Sequence, residues 1–239
     1  MIAAHGSWEP GNLPSQIERT SRPSDLFGFK AHFTGAVLTP DLMPLLIFPG
    51  GYGGMVTADR GRVSISCCIR RNVLSGLRQQ FGNVGASDAV SRHVIASCGG
   101  VRNVLADAEL DGPWLSAGPI QPGMRACYDR GILRVGNIAG ESHPVIAEGI
   151  SMALQSGWLL ARELIGSGRG SRDSDGVGRR YQAQWRRQFA TRIRTAASIA
   201  QIALWPGGQT ALRALIKQIP ATLTLGARLS GKSHPIPGL

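Results

Sequence analysis

A chain of 239 residues with 43% hydrophobic content carries enough apolar material for one large domain or two small ones, which excludes a disordered polypeptide. The formal net charge is +11, and Lys30, Lys217 and Lys232 are the only lysines, so the excess is arginine and admits anionic partners. No apolar run approaches the roughly 20 residues of a membrane helix, and residues 1–6 lack the charged start of a signal peptide, so a cytoplasmic protein is the expectation.

In chain order, residues 1–4 read as the end of a buried strand that enters a turn over 5–11. Residues 12–25 form a Pro/Ser-rich connector. Strands then dominate. Phe27, Phe29, Ala31 and Phe33 alternate with other residues over 26–33, the mark of a half-buried strand. Residues 45–48 follow, then a glycine turn over 49–54 and a short strand at 55–56. A hairpin through 58–61 leads to a strand over 62–69. The region is an antiparallel sheet. Residues 72–112 carry helical patterns, and 113–120 read as a returning strand.

A strand at 132–135 comes next, then a tight turn, Gly136-Asn137-Ile138-Ala139-Gly140. Ser142 or His143 is expected to cap a helix with Pro144 in its first turn, running to Ile165 and stopped by Gly166. Ile146, Ile150, Ala153, Leu154, Gly157 and Leu160 recur at helical spacing and are expected to form its buried face. Gly149 and Gly157 inside the pattern each cost about 1 kcal/mol relative to Ala, so close approach by a ligand or another backbone is expected there. The free N–H groups and the dipole of such a helix favour an anion or developing negative charge.

Residues 168–178 read as a Gly/Ser/Asp/Arg hinge. A helix over 179–204 places Tyr181, Trp185, Phe189 and Ile193 on its packed face and most of its arginines in solvent, so nucleic acid is not an expected partner. Residues 206–208 break this helix, a shorter one covers 210–219, and the tail after 231 is expected to be loose. Cys67 and Cys68 are adjacent on a strand and point to opposite faces. Cys98 and Cys127 lack metal-ligand spacing, so no metal site is expected. The glycines at 51–53 and 166–170 lack the third glycine of a dinucleotide fingerprint and sit between the wrong elements.

Gly136, Asn137, Ala139, Gly140, Pro144, Glu148, Gly149, Ile150 and Ala153 together resemble the second flavin-binding motif of the FAD-dependent monooxygenases and geranylgeranyl-reductase-like oxidoreductases. The register is gap-free. The family's usual Asp is Asn137 here, whose amide still accepts a hydrogen bond but without charge. The resemblance extends from His5, standing where the family has an Asp, to about Leu204. It implies an α/β (α+β) flavoprotein with 1–25 as part of the FAD domain and connector, 26–122 as the substrate sheet with helices, 123–170 as the second FAD motif and 171–239 as C-terminal helices. It implies FAD as cofactor, with Gly136, Asn137, Ala139, Gly140, Pro144, Glu148, Gly149 and Ile150 as its binding residues.

Within that resemblance the electron donor is NAD(P)H and the substrate a small apolar, aromatic or prenyl molecule. The reaction is hydroxylation or double-bond reduction. No catalytic side chain is named, because the flavin carries the redox chemistry. Peripheral membrane contact is admissible. Tyr52 either packs on the sheet or faces substrate. The family's first fingerprint, Gly-x-Gly-x-x-Gly, is missing from the sequence. The implied enzyme is therefore complete only with an upstream segment or a partner chain. The alternative is a flavin-free remnant that serves as a binding module.

Overall fold

The computed structural model describes residues 1–7, 13, 15–17, 20–168, 173–204, 214–215, 217–219 and 221–222. The turn at 5–11, the connector, the hinge and the elements expected after 204 lie wholly or partly outside these residues. The chain divides into two compact units, Met1–Arg19 with Gln121–Leu239, and Thr20–Ile120. A two-residue strand, β1 (Ile2–Ala3), belongs to the first unit.

The second unit is built on the alternation seen in the sequence. β2 (Leu26–Thr34), β3 (Leu45–Phe48), β4 (Gly51–Thr57) and β5 (Val63–Arg70) pair antiparallel in the order β3-β4-β5-β2. After β5 come α1 (Arg71–Gln80), α2 (Ala86–Ser97) and α3 (Gly99–Val104). β6 (Glu109–Leu110) and β7 (Leu115–Ile120) then return to pair with β2. Residues 109–110 thus leave the helical region to join the sheet edge.

The glycine turn is shorter than the sequence suggested. Gly51 to Gly54 are strand residues of β4, and a Cβ on Gly53 would stand 2.5 Å from the Ser66 carbonyl oxygen. These glycines let neighbouring strands approach closely. One face of the sheet holds Phe29, Phe33, Ile65 and Ile69 against Leu74, Leu77, Val90, Val94 and Val101 of the helices. Cys67 joins this core, while Cys68 faces the other way opposite Tyr52 in register. Tyr52 is buried there.

The first unit continues with β8 (Gly123–Met124), β9 (Tyr128–Asp129), β10 (Ile132–Arg134) and β11 (Gly140–Glu141), then α4 (Gly149–Gly166) and α5 (Ser174–Leu204). β1 runs parallel to β10, with Ile2 opposite Leu133, and β9 pairs antiparallel on the other side. β8 and β11 form a separate antiparallel pair.

α5 starts at Ser174, earlier than the sequence suggested, because an Asp173 Oδ1 accepts from the Gly176 N–H at 2.7 Å and caps the helix. The Tyr128 ring lies 2.4 Å from where a Cβ on Gly178 would stand, so this glycine seats α5 against β9 and is no hinge. Tyr181, Trp185, Phe189 and Ile193 are buried with Leu133, Ala139, Met152, Leu159 and Leu160. Each of the Leu, Ile, Met and Phe side chains among them contributes about 1.5–3 kcal/mol by burial. Arg192 departs from the solvated arginine face. It is buried, and its Nη1 donates to Gln155 Oε1 at 3.2 Å.

Candidate functional site

The turn between β10 and α4 is held from two sides. Gly136 takes φ +72°, the left-handed region that favours glycine, and opens a 3-10 turn over Gly136–Ile138. On the helix side a relay fixes it. The Gly136 N–H donates to Ser156 Oγ at 3.1 Å, Ser156 and Tyr181 share a 2.9 Å hydroxyl bond, and Tyr181 Oη donates to the Arg134 carbonyl at 2.8 Å. Burial pushes the Tyr181 phenol well above its ordinary pKa, so this donor stays protonated.

On the other side stands Arg125. Its Nη1 donates to the Asn137 carbonyl at 2.7 Å, and its Nη2 donates to the Gln121 carbonyl at 2.8 Å and Glu141 Oε2 at 3.2 Å. Its backbone N–H donates to the Ala139 carbonyl at 3.1 Å. Glu141 also accepts from Ser7 Oγ at 3.1 Å. Ser156, Arg125 and Glu141 had no signal in the sequence, and Tyr181 was legible only as a packed-face residue, since each acts through a contact distant along the chain.

The approach to α4 is not the continuous helix expected from Pro144. Pro144–Ile146 make one 3-10 turn, with the Val145 N–H 3.5 Å from His143 Nδ1. Ala147 then takes φ +54°, and α4 begins at Gly149 with Glu148 at its N-cap. A β-carbon makes that backbone costly, which is why the break is invisible in an Ala. At the far end the left-handed glycine is Gly168, whose N–H donates to the Ile165 carbonyl at 3.1 Å, and not Gly166.

Helix geometry leaves the N–H groups of Gly149, Ile150 and Ser151 without intrahelical partners. No side chain caps them, and a Cβ on Gly149 would meet nothing within 4 Å. This is an open N-terminus on an 18-residue helix. It is able to receive negative charge.

The buried face of α4 differs from the expected one. Met152, Gln155, Ser156, Leu159 and Leu160 are buried, whereas Ile150 is 81% exposed and Leu154 71%. The helix is apolar on both sides, so periodicity could not choose between them. A shallow depression of about 380 Å³ on the outer face is lined by Trp158, Ala161, Arg162, Ile165 and Gly166. It lies roughly 15–25 Å along the axis from Gly149.

The sequence-named residues therefore fall into two groups. Gly136, Asn137, Pro144, Gly149 and Ile150 are exposed or half-buried. Ala139, Gly140 and Glu148 are buried. A Cβ on Gly140 would stand 2.3 Å from Trp185 Cη2, so a protein ring fills the space at that glycine. Two buried polar atoms beside this loop, Ser142 Oγ and Trp185 Nε1, have no hydrogen-bond partner.

Elsewhere, His5 Nε2 lies 2.9 Å from Ser15 Oγ. Among the described residues no group of His, Cys, Asp and Glu could hold a metal ion. No described helix is long and apolar enough to cross a membrane.

The sequence matches no protein-family model and no curated protein. Solved structures do match. A geranylgeranyl bacteriochlorophyll reductase-like protein of Thermoplasma acidophilum superposes with a TM-score of 0.66 over 95% of this chain, at 15% identity. The flavin-dependent brominase Bmp2 gives 0.64 over 88%, also at 15% identity. The myxobacterial chondrochloren halogenase CndH, a variant of the FAD-dependent halogenases, gives 0.58 over 74% at 18% identity.

The fold is that of the FAD-dependent flavoproteins. The α+β architecture and the family resemblance expected from residues 136–153 agree with it at the level of fold. This flavoprotein fold is represented in part. The chain spans 61%, 51% and 42% of the lengths of the three proteins named.

Proposed function

We propose that this chain is the flavin-facing part of an FAD-dependent oxidoreductase, with the ribityl and isoalloxazine half of FAD held between the 136–140 turn and the N-terminus of α4. One observation carries the reading. The gap-free motif falls on a strand, a left-handed glycine turn and an open helix N-terminus, within a chain that has the fold of flavin-dependent enzymes. The residues fit such a group. Asn137 is half-buried with an amide able to accept from a hydroxyl, Ser142 Oγ is buried without a partner, and Gly149 has open space in front of it.

A bound flavin would supply the electron transfer. The protein's own part is to bind and orient. The N–H groups of Gly149, Ile150 and Ser151 would face the electron-rich edge of the ring, and a positive helix end stabilises charge that develops there. Gly140 and Ala139 would act from behind, as the packed wall that fixes the turn.

Within this function two reactions remain in view, hydroxylation by a monooxygenase and saturation of a double bond, with NAD(P)H as electron donor and an apolar substrate. The reductase-like protein of Thermoplasma acidophilum supports the second by its coverage. A probable FAD-dependent monooxygenase of Pseudomonas aeruginosa, which superposes with a TM-score of 0.57, supports the first. Both consume pyridine nucleotide but only hydroxylation consumes dioxygen, so substrate-dependent nucleotide oxidation measured with and without oxygen separates the two.

The test of the site is a titration of the purified chain with FAD, followed by flavin absorbance and fluorescence. Saturable binding that is lost in Gly149→Phe, a variant with room to fold, supports the site. Absence of binding by a folded chain favours the second reading, a flavin-free binding module. The exposed Ile150, Leu154 and Ile165 are the observation behind that alternative.

A further inference from the structure

We propose that the outer faces of α4 and α5 form one docking surface for an anionic lipid membrane. Charge is the first observation. From Gly176 to Leu239 the sequence holds ten Lys and Arg residues and no Asp or Glu, so nearly all of the net +11 lies in that stretch. A field of one sign attracts a partner of the other.

The two helices set part of that charge beside an apolar stripe. Leu154, Trp158, Ala161 and Ile165 recur at i, i+4, i+7 and i+11 and share one face of α4. Leu154 and Ile165 are exposed, and Trp158 is half-buried with the Arg162 guanidinium 4.9 Å over its ring. α5 runs antiparallel alongside. Arg162 donates to Gln184, while Gln155 accepts from Gln188 at 3.5 Å and from Arg192 at 3.2 Å. Gln184, Arg187, Thr191 and Arg194 continue one row on α5 in steps of three and four. Arg187 and Arg194 are exposed, and their guanidinium groups have no ion-pair partner among the described residues. Glu163, the only acid of α4, is held by Arg180 at 3.2 Å, and Asp175, the only acid of α5, accepts from Tyr128. Both carboxylates are therefore engaged, and neither opposes the row.

This combination fits a bilayer better than another anionic polymer. Aliphatic side chains and an indole enter the acyl boundary, and arginines on the flank reach the lipid phosphates. By helix rise the stripe is about 17 Å long and the row from Gln184 to Arg194 about 15 Å, so the two run side by side at matching length. The depression of about 380 Å³ between Trp158 and Ile165 gives room for part of an acyl chain. A nucleic acid would use the arginines but leave the aliphatic stripe in water. The surface is separate from the 136–140 turn, so the proposal stands whether or not that turn holds flavin.

The test is sedimentation of the full chain with vesicles of phosphatidylcholine alone, or with about a quarter phosphatidylserine. Binding is expected to the anionic vesicles, weakening at least about tenfold between about 0.1 M and about 0.5 M salt. The pair Leu154→Gln and Ile165→Gln is expected to weaken it at least about tenfold, and Arg187→Gln with Arg194→Gln about twentyfold. All four side chains are exposed, so these variants keep the fold, which unfolding curves check. Val37→Gln, at an exposed aliphatic of the other unit, leaves binding unchanged. Brominated acyl chains quench indole fluorescence in the wild type, and less so in Trp158→Phe.

No binding to anionic vesicles overturns the proposal. So does equal binding to both vesicle types, or binding that survives the Leu154 and Ile165 replacements. Binding of double-stranded DNA through Arg187 and Arg194, without vesicle binding, assigns the surface to nucleic acid instead. A dimer seen by light scattering, dissolved by the Leu154 and Ile165 replacements and indifferent to vesicles, assigns the stripe to a second copy and equally overturns it.

Discussion

Replacing Gly140 and Gly149 separates the two kinds of glycine in the motif. At Gly140 an alanine methyl would stand 2.3 Å from Trp185 Cη2 and 2.8 Å from Cζ2. Carbon contacts settle at about 3.5–4.0 Å, so more than about 1 Å of movement is needed. Trp185 is 1% exposed and its ring lies tilted against Phe189 at 5.0 Å between centroids, so it has nowhere to go. Overpacking of this kind costs about 1–3 kcal/mol, and the absence of an escape route puts Gly140→Ala near about 3 kcal/mol. For a chain of this size that lowers Tm by about 6–12 °C.

Gly149→Ala meets no atom, and removing glycine flexibility from the first helical turn is expected to be neutral or to stabilise by up to about 1 kcal/mol. Calorimetry or urea denaturation of the two variants reads the difference. Equal stability of Gly140→Ala and wild type would refute the packing account of Gly140, and with it the division of the motif into wall and open face.

Tyr181→Phe removes the middle of the relay that fixes Gly136 and strands the Arg134 carbonyl and the Ser156 hydroxyl in a buried place. The expected loss is about 1–3 kcal/mol in denaturant unfolding, and a loss under about 0.5 would mean the relay carries no weight. Burial pushes the Cys67 and Cys127 thiols up to about 12 and Cys68 up to about 11 from the ordinary 9.0. These groups ionise more readily in the unfolded chain. Their stabilisation is full below about pH 9 and is lost as pH rises through the folded values, at up to about 1.4 kcal/mol per pH unit for each thiol. Unfolding curves at pH 8 and pH 11 check the sign. A thiol reagent at pH 8 should reach half-buried Cys98 in the native protein and the other three only after unfolding.

Local chemistry explains what the sequence disclosed. The alternation in β2 and the strand at Ile132 each depend on neighbours a few residues away, and they were legible. The α5 stripe at Tyr181, Trp185, Phe189 and Ile193 was legible for the same reason. What escaped was set by distant contacts. Gly140 looks the same whether a ligand or Trp185 fills the space beside it, and Gly178 the same whether it hinges or admits Tyr128. Ala147 carries no preference for its left-handed backbone, so the break before α4 had no residue to announce it. Arg125 was one arginine among many until the fold placed it behind Asn137.

The two-sided apolar character of α4 has a cellular consequence. Ile150, Leu154 and Ile165 stand in solvent on the face opposite its packed one. Chaperones and quality-control proteases engage exposed aliphatic side chains, so the abundance of this chain in a cell is tied to how completely that stripe is shielded. Polar replacements along it would raise yield and lengthen half-life without touching the turn. The same helix that carries the open N-terminus thus also sets how long the molecule persists.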